Sequence, residues 1–257
     1  MTAYSPLQSV FTLAPNLRKA SRRVLSVYLP ARAEGYDTRF YDIEFGDLLH
    51  RYRDRLAEKD RSLMEHELRR LRTHLGFVRT AGCPALAGFA DEPAGILEVV
   101  KLRATTDERL EVGEVLIAPI LRQLEKFPPA LVAVVNKEEA RTFGSILDDV
   151  IALEHVVGVD VRHIRSGGTS APSNQRRADN RTKANLEVAI KTIQREMASG
   201  AYKVLFIAGP EEARAVFEKL LPAPLKKVVA GHLPGIVIDS ATLKHDLREK
   251  LEAAVPT

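Results

Sequence analysis

One cysteine, Cys83, stands in a chain of 257 residues. A lone thiol excludes an intrachain disulfide and any cysteine-rich metal centre. Its setting, Ala81 to Phe89 (AGCPALAGF), is a run of small and apolar residues that reads as a buried strand, so packing is expected of it rather than nucleophilic chemistry. No apolar run approaches the ~18 residues of a membrane-spanning helix. No charged start followed by an apolar stretch marks a signal peptide, and residence in the cytoplasm is the expectation. GxxxxGK[ST], GxGxxG and GxSxG are all missing, which removes the usual nucleotide-binding loops and the hydrolase elbow. His50, His66 and His74 lack the spacing of a metal pair, so neither a metal nor a small-molecule cofactor is expected.

What is present is an ordinary globular composition, 45% hydrophobic and 28% charged, with a net charge of +4. Such a mild positive balance permits nucleic-acid binding without requiring it, so the placement of the charge matters more than its sum. Placement singles out Arg162 to Lys183, RHIRSGGTSAPSNQRRADNRTK. Arg162, Arg165, Arg176, Arg177, Arg181 and Lys183 face one acid, Asp179. Gly167-Gly168 frees the backbone, Ser170, Ser173 and Asn174 favour turns, and Pro172 blocks a strand ladder. A glycine-hinged basic loop suits a polyanion; a solvated surface loop is the competing reading.

From Asn180 the pattern predicts a helix, with Leu186, Ile190, Ile193 and Met197 on one face and Gly200 as its stop. A strand over Lys203–Ala208 follows, ended by Gly209-Pro210, and Glu211-Glu212 opens another helix. Upstream, Val24–Leu29 reads as a strand. Two amphipathic helices carry Phe45, Leu49, Tyr52, Leu56 and then Met64, Leu68, Leu71, Leu75. Their polar faces hold Arg51, Arg53, Arg55, Arg69, Arg70 and Arg72 among acids, the mark of a solvated face that leaves RNA contact open. Cys83–Phe89 and Gly95–Leu102 predict two strands around a turn at Asp91-Glu92-Pro93. Val115–Lys126 predicts a short helix interrupted or kinked at Pro119.

Phe127-Pro128-Pro129 is the best boundary, because two prolines stop a helix. It divides an N-terminal α/β domain, 1–127, from a second domain, 128–257. The second opens with strands at Ala130–Val135, Ala140–Leu147 and Leu153–Asp160, and ends with a strand at Ile236–Ile238 and a helix carrying Leu243, Leu247 and Leu251. Three strands followed by helix, strand and helix imply an α/β sheet.

The order of three strands, a GG segment, a long helix, FIAGPEEAR and LLPAPLKKVVAGHLPG resembles the central domain of archaeo-eukaryotic class I release factors. It is more similar still to the bacterial archaeo-eukaryotic release factor family. The resemblance covers Pro129 to Glu252, and reaches the N-terminal half only through VLSVYLP and the order of elements after it. It implies a ribonuclease-H-like mixed sheet with helices on both faces, and a loop that reaches the ribosomal peptidyl-transferase centre. A nuclease of such topology would need a carboxylate on its first strand; here that strand ends in Asn136, while Asp148-Asp149 read as loop residues. The third domain with which release factors recruit a partner GTPase has no room in this sequence.

In relatives the loop carries a GGQ-type signature whose glutamine positions water at the ester of peptidyl-tRNA. The loop here is Gly167, Gly168, Thr169, Ser170, Ala171, with alanine at the matching position. Alanine positions no water, so the resemblance implies a ribosome- or tRNA-associated factor that is non-hydrolytic, of the rescue or hibernation kind. Two alternatives stay open. Gln175, four residues on, serves as the catalytic residue of an active peptidyl-tRNA hydrolase. Or the chain is an interaction protein of inherited fold with no RNA role.

Overall fold

In the computed structural model of the chain, the described residues are 23–30, 46–48, 50–54, 56–75, 83–136, 139–157, 171–233, 246–247 and 249–250. The chain divides into two compact units, Met1–Lys126 and Phe127–Thr257.

The first unit is built on β1 (Val24–Pro30) and completed by β2 (Ala85–Asp91), β3 (Ile96–Leu102) and β4 (Arg109–Gly113), an antiparallel sheet in the order β3-β2-β1-β4. β1 is central and buried on both faces, which is why it reads VLSVYLP without polar alternation. Leu25, Val27 and Leu29 join a core with Met64, Leu68 and Leu71 of α1 (Glu58–Leu75). The intervening residues of β1 meet the chain at Leu116: Ser26 Oγ accepts its N–H at 3.1 Å, and the Tyr28 hydroxyl donates to its carbonyl. Tyr28 also stands edge-on to Phe89, the ring centroids 6.1 Å apart. Burial raises the Tyr28 hydroxyl pKa above its ordinary value.

Two polar side chains tie helices to this sheet. Glu67 of α1 is fully buried; its carboxylate accepts the Glu92 N–H at 2.8 Å and a bond from Arg70 at 2.5 Å, holding the turn between β2 and β3. Gln123 of α2 (Ala118–Lys126) accepts the N–H groups of Arg103 and Ala104 and donates to the Ala104 carbonyl. On the polar faces of the helical residues before β2, Arg51 pairs with Glu108 and Arg53 lies 4.0 Å from Glu65.

The second unit has a five-stranded mixed sheet in the order β7-β6-β5-β8-β9, formed by β5 (Ala130–Val135), β6 (Glu139–Ile146), β7 (Asp149–Val157), β8 (Val204–Ala208) and β9 (Val229–Leu233). β5, β6 and β7 are antiparallel neighbours, and β5, β8 and β9 run parallel. This is the ribonuclease-H-like arrangement. The long helix α3 (Ala171–Ala198) joins β7 to β8 and packs on β5, β6 and β7. Leu186, Ala189, Ile190 and Ile193 form its buried stripe. Gly200, at φ 75, ends it. α4 (Glu211–Leu220) lies beside α3, and a single turn, α5 (Ala223–Lys226), leads into β9.

Several elements depart from expectation. The long helix begins at Ala171, not Asn180, so Pro172 lies in its first turn, where the missing N–H has no helical acceptor to lose. Pro119 likewise sits in the first turn of α2 and does not interrupt it. β2 starts two residues after Cys83, which is itself buried. Asp149 is the first residue of β7 rather than a loop residue. The turn is the pair Leu147-Asp148, with Leu147 at φ 50. The third strand of this unit, Asp149–Val157, therefore starts four residues before the expected Leu153, and the expected end at Asp160 lies outside the described residues. β4 and β9 have no counterpart in the sequence reading. The expected strand at Ile236–Ile238 lies outside the described residues. No described helix is long and apolar enough to cross a membrane.

Candidate nucleic-acid interface

β7 is antiparallel to β6 and therefore runs with β5, β8 and β9. The C-terminal ends of those four strands share one end of the sheet. Asn136 and Glu139 close a turn there: Asn136 Oδ1 accepts the Glu139 N–H at 2.6 Å, and the Asn136 N–H bonds the Glu139 carbonyl at 3.0 Å. The first-strand position that a metal nuclease would fill with a carboxylate is thus an amide committed to a turn. Gly209 follows β8 at the same end, its Cα pressed against the Val135 carbonyl. Asp148 and Asp149 lie at the opposite end, on the β6–β7 hairpin. Among the described residues no group of three or more His, Cys, Asp or Glu could hold a metal ion.

The segment 158–170 leaves from the end of β7, and α3 returns from it. Glu154 fixes the relative height of strand and helix. Its Oε2 accepts the Thr192 hydroxyl at 2.6 Å and lies 3.4 Å from the Arg195 guanidinium. Three residues of strand beyond Glu154 advance about 10 Å to Val157. From Thr192 back to Ala171 the helix advances about 31 Å. The stretch of α3 ahead of this bond is thus about three times as long as the stretch of β7 beyond it. Among the described side chains of α3, those from Asn185 to Ile193 include the buried stripe Leu186, Ala189, Ile190 and Ile193.

Of the residues singled out in the sequence, Arg162, Arg165, Gly167, Gly168, Thr169 and Ser170 lie outside the described residues. Ala171, Gln175, Arg176, Arg177 and Arg181 are on the helical backbone of α3, within its first three turns. Ala171 is therefore the first helical residue and not a loop residue, and Gln175 follows it by one turn. Lys183 is exposed and 3.9 Å from Glu187 one turn on, a surface pair of little energetic weight. The first turn of α3 holds no acidic residue.

Sequence reasoning missed Glu154, Thr192 and Arg195. Nothing in the local pattern of β7 marks Glu154, because a β-bulge turns it toward the helix: Phe143 pairs with Ala152 and Thr142 with Glu154, leaving Leu153 as the extra residue. Beyond α3, Tyr202 packs its ring over Gly144, and burial, assisted by the charge of Glu196, pushes its hydroxyl pKa up to about 12.

The sequence profile described as bacterial archaeo-eukaryotic release factor family 10 matches residues 116–254. Among solved structures, an archaeal translation termination factor is similar at 15% identity and a TM-score of 0.39, over 98% of this chain and 72% of that one. The Pelota protein of Archaeoglobus fulgidus is similar at 14% identity and a TM-score of 0.33, over 68% of this chain and 50% of that one. Pelota of Thermoplasma acidophilum gives 13% and 0.32, over 62% and 46%. No curated protein matches the chain.

Proposed function

This chain belongs to bacterial archaeo-eukaryotic release factor family 10, and from that premise we propose that it is a ribosome- or tRNA-associated translation factor which inserts its GG segment into an RNA site. The observation that carries the reading is the length of α3 ahead of its bond to β7. The helix that receives the segment starts about 31 Å along its axis from Thr192, and its first three turns hold Arg176, Arg177 and Arg181. A long, positively charged helix start with a glycine pair ahead of it suits a narrow cavity walled by phosphates. The sheet on which α3 packs supplies its base. Ala171 stands where relatives carry the glutamine that positions water, so the insertion blocks the site without hydrolysis.

A second reading rests on Gln175. It lies one turn along α3 from Ala171, so an amide is available near the same place on the helix. In that reading the chain releases peptide, and Gln175→Ala abolishes release while changes at Ala171 do not.

Co-sedimentation with ribosomes at low and moderate salt tests the proposal. Wild type should pellet at low salt and lose affinity steeply as salt rises. A variant with Glu at Arg176, Arg177 and Arg181 should lose pelleting. Its slope of log affinity against log salt should be shallower by about 2–3 if each arginine meets one phosphate. A release assay on peptidyl-tRNA complexes then separates blocker from hydrolase. If neither protein pellets with empty or tRNA-loaded ribosomes, the RNA role falls and an interaction protein of inherited fold remains.

A further inference from the structure

The bulge at Leu153 and the bond it creates have a role that packing alone does not require. Along β6, Thr142 and Gly144 face α3: Thr142 is paired with Glu154, and Gly144 lies beneath the Tyr202 ring. Without the extra residue, Leu153 would stand opposite Thr142, and Glu154 would stand opposite Arg141 on the other face of the sheet. The bulge therefore puts a carboxylate, three residues before the end of β7, where an apolar side chain would otherwise meet the helix. That carboxylate binds Thr192, which is 5% exposed, at 2.6 Å. The bond joins the strand that enters segment 158–170 to the helix that leaves it.

We propose that Glu154 is a positioning residue for the start of α3: with Thr192 it locks β7 and α3 in register, so the first half of α3 is held in one direction. The proposal rests on the reading of the GG segment ahead of it as the inserted element. The hydrogen bond carries the lock. The Arg195 contact is long and the arginine side chain 68% exposed, so it adds little. The lever is large, since Thr192 lies about 31 Å along the helix from Ala171 and a small rotation at the lock becomes a displacement of several ångströms at the tip.

Hydrogen exchange read by mass spectrometry on the free protein tests this without reference to ribosomes. Glu154→Ala and Thr192→Val should each speed exchange in peptides covering 155–157 and 171–182, by roughly fivefold for one lost hydrogen bond. Peptides of β5 and β8 should stay at wild-type rates. Glu154→Gln keeps an acceptor for Thr192 and should restore most of the protection. Arg51→Ala, which breaks an exposed pair in the other unit, should change nothing in these peptides. Unchanged exchange at 155–157 and 171–182 in both lock variants overturns the proposal, as does uniform acceleration through β5 and β8, which marks a general loss of stability. Should Glu154→Ala fail to fold, Thr192→Val, which removes only a hydroxyl, decides alone. In the ribosome assay, Glu154→Ala should weaken pelleting severalfold while Glu154→Gln does not. Absence of wild-type pelleting would remove the ribosomal role and leave the exchange result standing.

Discussion

At the scale of single residues, two glycines and two tyrosines of this fold have narrow tolerances. A methyl group on Gly209 would lie 2.0 Å from the Val135 carbonyl oxygen, and its φ of 128 is one that side chains rarely adopt. The obstacle is backbone of the central strand β5, which cannot withdraw. Gly209→Ala is expected to destabilise the protein by about 3 kcal/mol or more, read from the urea midpoint. At Gly144 the obstacle is the Tyr202 phenol, whose oxygen would lie 2.1 Å from the added carbon, so the ring must move for any side chain to fit. The two tyrosines impose a pH limit. Tyr202 is raised to about 12 and Tyr28 is raised as well, in both cases chiefly by burial. The unfolded chain ionises its tyrosines from roughly pH 10, while the folded protein holds these two protons. Their contribution is complete below the unfolded pKa and is lost as pH rises through the folded one. Denaturant melts should therefore show stability falling from pH 10 toward 12, and Tyr202→Phe and Tyr28→Phe should each flatten that fall.

At the scale of elements, stability depends on a few polar side chains that join one element to the next. Gln123 is the clearest. Replacing it with alanine removes the acceptor of two backbone N–H groups and the donor to one carbonyl, at the point where β3 turns toward β4. The expected loss is about 2–3 kcal/mol, measured by thermal or chemical denaturation. Such links also explain what the sequence disclosed and what it hid. β1, β5 and β8 are buried and reveal themselves as apolar runs; α1 and the second half of α3 reveal themselves by helical spacing. β4 and β9 are half-exposed edge strands of five residues, and Gly231 and His232 in β9 break any run. The β6–β7 hairpin was obscured because its turn uses Leu147 at positive φ, a place usually given to glycine or asparagine. The start of α3 was obscured because proline, serine and asparagine favour a turn when taken alone, and a helix start tolerates them equally well. The cationic residues of the candidate site were legible as a local excess of charge. Glu154 was not, because a bulge decides which face it takes and only strand pairing reveals a bulge.

At the scale of the whole molecule, the two units differ in what their order of synthesis asks of them. The first is an antiparallel sheet closed within residues 24–113. In the second, the hairpins β5–β6 and β6–β7 are local, but the other edge of β5 stays open until β8 exists, because Ala130 pairs with Val204. Everything between must be made first, including the basic segment and all of α3. A nascent chain therefore presents β5, a strand of six apolar residues, with one side unpaired while the intervening residues are being added. Such an edge is a template for pairing with another chain, and closure over a long separation is slow. The protein passes through its most aggregation-prone interval while still tethered to the machine on which it is proposed to act, and truncation anywhere between Val157 and Ala208 should yield chains that depend on chaperones for solubility.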